Sequence, residues 1–132
     1  MTKKAARKKL KDHLIKRGTQ GNFNITPALT LYWWRILNNA IFNNCLAMPK
    51  DIIVRYHRDA WGYCITERNY SKYIPITIEI NEEIDNREFF IEILAHEMAH
   101  QWQQQFLGRM THGASFFQWA PKLRTLKINL EK

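Results

Sequence analysis

The sequence predicts an α+β fold, and three observations carry that reading. Apolar side chains recur at helical spacing over residues 27–44 and again over 86–107. Between those segments lie three short runs of strand character, "IIVRYH" (52–57), "WGYCIT" (61–66) and "YIPITIEI" (73–80). Finally, a chain of 132 residues with 45% hydrophobic and 13% aromatic residues is long and apolar enough for one packed core.

The first element is a basic arm, "MTKKAARKKLKDHLIKR", carrying eight Lys/Arg against one acid. The other 115 residues hold twelve Lys/Arg and eleven acids, so the net charge of +8 resides almost wholly in the arm. Residues 1–20 are therefore assigned as a basic arm and 21–132 as the domain. Ala6, Leu10 and Leu14 fall at i, i+4 and i+8, which would let a helical arm rest one stripe on the body. His13 is expected to be solvated. The cations Lys3, Lys4, Arg7, Lys8, Lys9 and Lys11 favour a polyanion such as DNA, because neutralised phosphates release counterions.

"GTQG" (18–21) separates the arm from the next helix, which Thr26 caps with Pro27 in its first turn. That helix is predicted to run to about Asn44, with Trp33 and Trp34 as core and flank. The segments "RDAWG" and "ERNYSK" read as turns, so the three strands are predicted to form an antiparallel meander. Pro75 lacks a ladder donor and places the start of the third strand late, or the strand at an edge. Asp85 with Glu88 offers a capping box for the central helix, and Gly108 a stop. A last helix begins near Gly113 and is kinked or interrupted at Pro121.

The central helix contains "HEMAH" (96–100), the pattern H-E-x-x-H. Residues i and i+4 of a helix have Cβ atoms ~5–6 Å apart, so His96 and His100 can reach one zinc ion. Glu97 projects beside them, where a carboxylate can take a proton from a metal-activated water. Three ionisable side chains inside an apolar helix are costly unless they hold something. His112 follows just past Gly108 and supplies a third imidazole, the number a catalytic zinc wants beside an open position.

From those residues onward the chain resembles the SprT-like metalloprotease family. The match lies in H-E-x-x-H followed by "HGASF" (112–116), with "AWGYC" and "ITIEIN" upstream. The family includes bacterial SprT proteins and the eukaryotic protease Spartan, which degrades proteins crosslinked to DNA. The resemblance implies a zincin-like fold and Zn2+ held by His96, His100 and His112. It also implies Glu97 as catalytic acid/base and DNA-associated proteolysis of protein substrates. Many relatives carry a C-terminal zinc ribbon, and no C-x-x-C pair occurs here. The basic arm is the substitute route to DNA.

Several residues around this centre have expected roles. The "ITIEI" strand is expected to take an extended substrate by edge pairing. Tyr56, Tyr63, Tyr70 and His57 are candidates to stabilise an oxyanion. Gln101, Gln103, Gln104 and Gln105 read as a polar face, with one of them free to line the cleft, and Phe116, Phe117 and Trp119 as core beneath the zinc helix. Two other functions stay open. One is a nucleic-acid-binding module with a structural zinc, which needs a fourth ligand such as Cys64 or His57. The other is a zinc peptidase unconnected to DNA. Cys45 and Cys64 read as free thiols. With no apolar run near the ~18–20 residues that span a bilayer, the expected location is the cytoplasm.

Overall fold

The computed structural model describes residues 1–15, 23–66 and 76–130. The expectations for "GTQG", "ERNYSK", Tyr70 and Pro75 fall outside them. The elements are α1 (Lys3–Ile15), α2 (Pro27–Ala40), β1 (Asp51–Arg55), β2 (Gly62–Thr66), β3 (Ile76–Asn81), α3 (Arg87–Leu107), α4 (Ala114–Phe117) and α5 (Ala120–Arg124). The fold is α+β, as predicted.

Local signals place the helix ends. The Thr26 hydroxyl accepts from the Leu29 N–H at 3.0 Å, with Pro27 in the first turn of α2. That helix stops at Ala40, earlier than predicted, and Asn43 and Asn44 turn left-handed at φ 57 and 58°. The cap of α3 is Asn86, not Asp85: its side-chain oxygen accepts from Phe89 N–H at 2.8 Å. Gly108 ends α3 at φ 71°, a conformation that costs glycine nothing. The predicted last helix is two short ones. The break lies at residues 118–119, and Pro121 sits in the first turn of α5, where its missing N–H needs no partner.

The sheet departs from the predicted meander. Its order is β1-β3-β2, with β1 parallel and β2 antiparallel to β3. The third strand is thus central, and an extended substrate cannot pair with it. Asn81 fastens the connection that this order requires. Its buried side chain donates to the carbonyls of His57 and Ala60, at 2.8 and 2.9 Å, and so pins the crossing loop between β1 and β2. Beside it on β3, buried Glu79 is clasped by Arg55, whose Nε and terminal nitrogen both lie 2.8 Å from Oε1. His57 Nε2 lies 3.0 Å from the same oxygen, without hydrogen-bond geometry. Buried polar groups on a central strand are tolerated because they are partnered.

Ile76, Ile78 and Ile80 turn the other face of β3 to the core, against α3. α3 is buried nearly all round, as a helix central to its domain must be. On its other sides stand α2 and α1. Ala6, Leu10 and Leu14 are buried in the same core as Trp33, Trp34 and Leu94. His13 is buried too, its ring centroid 4.0 Å from that of Trp33, contrary to the solvated position predicted. An amphipathic stripe that meets a complementary face carries its neighbours inward with it.

Because Leu10 is fully buried, Leu10→Ala should destabilise the protein by about 2–5 kcal/mol. Chemical denaturation checks this, and a loss within experimental error would mean that α1 is not part of the cooperative core.

Candidate metal centre

Two imidazoles come from one turn of α3 and one from the segment after Gly108. His100 Nε2 and His112 Nε2 lie 3.1 Å apart, and His112 Nε2 and His96 Nε2 3.4 Å apart. A tetrahedral zinc with bonds of ~2.0–2.1 Å holds its ligand nitrogens about 3.3–3.4 Å from one another; these two separations are near that spacing, and all three ligand atoms lie within 4.8 Å of one another. Among the described residues no fourth His, Cys, Asp or Glu joins the cluster, and His112 is exposed. Cys64 and His57, considered above as a fourth ligand, stand apart from it. The Phe116 side chain is fully buried beneath, its ring centroid 4.8, 4.6 and 5.1 Å from those of His96, His100 and His112.

Two of the three donors have their pKa lowered by burial, and His100 is oriented by a glutamine. Gln103 is fully buried, and its Oε1 accepts from the Thr111 backbone N–H at 3.1 Å. That backbone donor settles which end of the amide is oxygen. The same Oε1 lies 2.9 Å from His100 Nδ1, which must therefore carry the proton and leave Nε2 its lone pair. Gln103 Nε2 donates to Ser115 Oγ at 2.8 Å and Thr111 Oγ1 at 3.3 Å. One glutamine thus ties the helix to the segment that presents His112. Burial, followed by the neighbouring His100, pushes the His96 imidazole down to about 4, while the Leu130 backbone works in the opposite sense. His96 Nδ1 is buried without a well-formed hydrogen bond. Burial also lowers His100, against its bond to Gln103.

Glu97 is buried between α3 and β2, and burial pushes its carboxyl up to about 8. β2 approaches through a glycine. A Cβ added at Gly62 would stand 3.2 Å from Glu97 Oε2, 3.1 Å from the Glu79 carbonyl and 3.0 Å from Ile93 Cγ2. Any side chain there would press on the carboxylate and on backbone that cannot yield. The Cys64 thiol, a free cysteine two residues on, is raised by burial and then by the charge of Glu97.

A family model describing the SprT-like family matches residues 32–132. The chain belongs to the SprT-like family. Comparison with curated proteins and with solved structures returned no match. In this SprT-like chain the three predicted imidazoles meet in one cluster, and Glu97, next to His96 on α3, is buried against Gly62 of β2. Tyr63 and His57 do not join them: Tyr63 is opposite Glu79 on the far face of the sheet, and its ring centroid is 4.9 Å from that of His57. Tyr56 is exposed. Phe116 and Trp119 are core as predicted, whereas Phe117 is 37% exposed.

The predicted polar face of glutamines is mostly buried. Gln101 accepts from Trp34 Nε1 at 2.9 Å, and Gln105 accepts from Ala47 N–H at 2.8 Å, fastening α3 to residues 45–48. Gln103 and Gly62 were missed by the sequence reading. A polar residue three beyond a ligand histidine, on the same helical face, was the available signal for the first. Nothing local marked the second.

Of the basic residues, Lys4 and Lys11 are exposed, and Lys8 is 3.6 Å from Asp12. Lys9 Nζ bonds the Tyr32 hydroxyl at 3.2 Å. Lys3 bonds Asn43, just past α2, and Arg7 bonds Thr125 near the end of the chain. Among the described residues no helix is long and apolar enough to cross a membrane.

Gln103→Ala should weaken zinc binding about 10- to 100-fold. Competition against a chromophoric chelator measures it, and unchanged affinity would show that the bridge does not orient His100. A second expectation concerns metal-free protein. The folded pKa of Glu97 lies above its unfolded value, so as pH rises through 4.5 the unfolded chain loses its proton first. The folded state then holds the extra proton, and stability falls until about pH 8. Thermal melts of chelator-treated wild type and Glu97→Gln should diverge from pH 5 to 8, the variant being the more stable, and run parallel above. The difference cancels the contribution of the histidines. A constant gap would mean that Glu97 ionises normally.

Proposed function

We propose that this protein is a zinc-dependent endopeptidase acting on proteins bound or crosslinked to DNA. The observation that carries the peptidase part is the three-imidazole cluster with an exposed side, next to a buried carboxylate of raised pKa. His96, His100 and His112 would hold the ion. Zinc, when bound, supplies a Lewis acid that acidifies water from ~15.7 towards 7 and polarises a carbonyl oxygen. Glu97 takes the proton from the attacking water and delivers it to the departing amine. Phe116 and Gln103 keep the imidazoles in place while this happens.

The substrate strand has a different docking edge from the one read in the sequence. β3 is paired on both sides, whereas β2 leaves its outer edge unpaired among the described residues. β2 begins at Gly62, beside the Glu97 carboxylate. A peptide added to that edge presents backbone to backbone, which demands little of its side chains and suits a protease with many substrates. The DNA part of the proposal is supported by the concentration of charge in residues 1–17 and by the exposed cations of α1.

The test is cleavage of a DNA-binding protein, with and without single-stranded DNA, by wild type and Glu97→Gln. Glu97→Gln should retain zinc and lose roughly 10²-fold or more of the cleavage rate. Retained activity would remove Glu97 from the mechanism. Cleavage by wild type that is indifferent to DNA would leave a peptidase unconnected to DNA.

A further inference from the structure

Three cations from opposite ends of the chain meet at the end of α2. Lys3 Nζ and Lys122 Nζ both donate to one acceptor, Asn43 Oδ1, at 3.1 and 3.0 Å. Arg7 approaches from the next turn of α1 and donates to Thr125 Oγ1 at 2.7 Å, and that hydroxyl in turn donates to the Lys122 carbonyl. Lys122 and Arg7 are half-buried. Among the described residues no carboxylate lies within ion-pair distance of any of the three. The helix end compensates only part of this charge: Lys122 Nζ also bonds the Ile41 carbonyl at 2.9 Å, and a helix C-terminus carries about half a negative charge. The Lys122 ammonium is pushed below its usual range by burial first, then by its hydrogen-bonding proximity to Lys3 and the charges of Lys3 and Arg7.

Like charges brought together by a fold, with donors to spare, lack an anion. Among the described residues Arg7 uses one of five N–H donors, Lys3 one of three and Lys122 two of three. The unused donors belong to a planar fork and two point charges. That combination suits a tetrahedral, multiply charged oxyanion better than a single carboxylate.

We propose that Lys3, Arg7 and Lys122 form a binding site for a phosphate group, with Asn43 and Thr125 holding the three cations in register. The site spans α1 and α5, so it forms only in the folded chain. Its phosphate comes either from a polynucleotide backbone, where it would anchor one point of the strand, or from a free phosphate ion. This deepens the DNA part of the function proposed above, on which its polynucleotide form rests, and is independent of the peptidase part.

The experiment is therefore a pair of binding measurements on full-length protein in the Glu97→Gln background, which needs no proteolysis to report and serves as wild type for the cluster. A fluorescent single-stranded oligonucleotide is titrated by anisotropy over a salt series, and inorganic phosphate is titrated by calorimetry. Arg7→Gln and Lys3→Gln/Arg7→Gln leave the Lys122–Ile41 bond intact, and their melting curves serve as the folding check. Lys4→Gln/Lys11→Gln is the control, removing two exposed charges of α1 outside the cluster.

For a polynucleotide ligand, Lys3→Gln/Arg7→Gln should lower affinity for the strand about tenfold and flatten its salt slope by roughly 0.7 for each phosphate that is no longer neutralised, with a smaller effect from the control. For free phosphate, wild type should bind the ion and the double variant should bind it about tenfold more weakly, the strand affinity being unchanged. An equal fall in strand affinity for the control and the double variant would overturn the site, reducing it to diffuse charge. Failure of the wild type to bind either probe would overturn it as well. Either result would leave the cleavage assay and the metal centre untouched.

Discussion

The approach of three imidazole nitrogens to within 3.1 and 3.4 Å is the constraint around which this molecule is organised. Such a meeting is unfavourable unless each ring is neutral, correctly protonated and held. Burial keeps His96 and His100 neutral. Gln103 fixes the tautomer of His100, and the Phe116 ring supports all three from below. Because Gln103 reaches both the helix and the 111–115 segment, the last ligand is positioned by a buried hydrogen-bond bridge rather than by chain connectivity.

The sheet serves the same centre from the other side. Gly62 lets β2 run close to Glu97, so that the carboxylate is removed from water without being displaced. Removal from water raises its pKa in the metal-free protein. The order β1-β3-β2 leaves β2, not β3, as the strand beside the carboxylate with an available edge. A meander would have paired β2 on both sides and left it no free edge.

The helices surrounding this centre divide their surfaces between packing and charge. α1 buries Ala6, Leu10 and Leu14 and turns Lys4, Lys8 and Lys11 to solvent. Its Lys3 and Arg7 lean towards Lys122 on α5, so the basic segment is folded against the body and shares one cluster of charge with it. The feature that reads as an arm in the chain is a wall of the domain in three dimensions.

What the sequence determined by itself was local. H-E-x-x-H, the Thr26 cap, the Gly108 stop and the apolar stripe of α1 depend on residues within a turn or two of each other, and each stands where its pattern places it. The same one-dimensional view misjudged whatever depended on a distant partner. Gln101, Gln103 and Gln105 look like a wetted face until Trp34, Thr111 and Ala47 arrive to receive them. His13 looks solvated until Trp33 covers it. The strand order pairs β1 with β3 across the whole of β2, with Asn81 holding the crossing loop at His57 and Ala60, and no local pattern carries such a pairing. Periodicity reports which face of an element is apolar, but only the packed chain decides what that face, or a polar side chain on it, will meet.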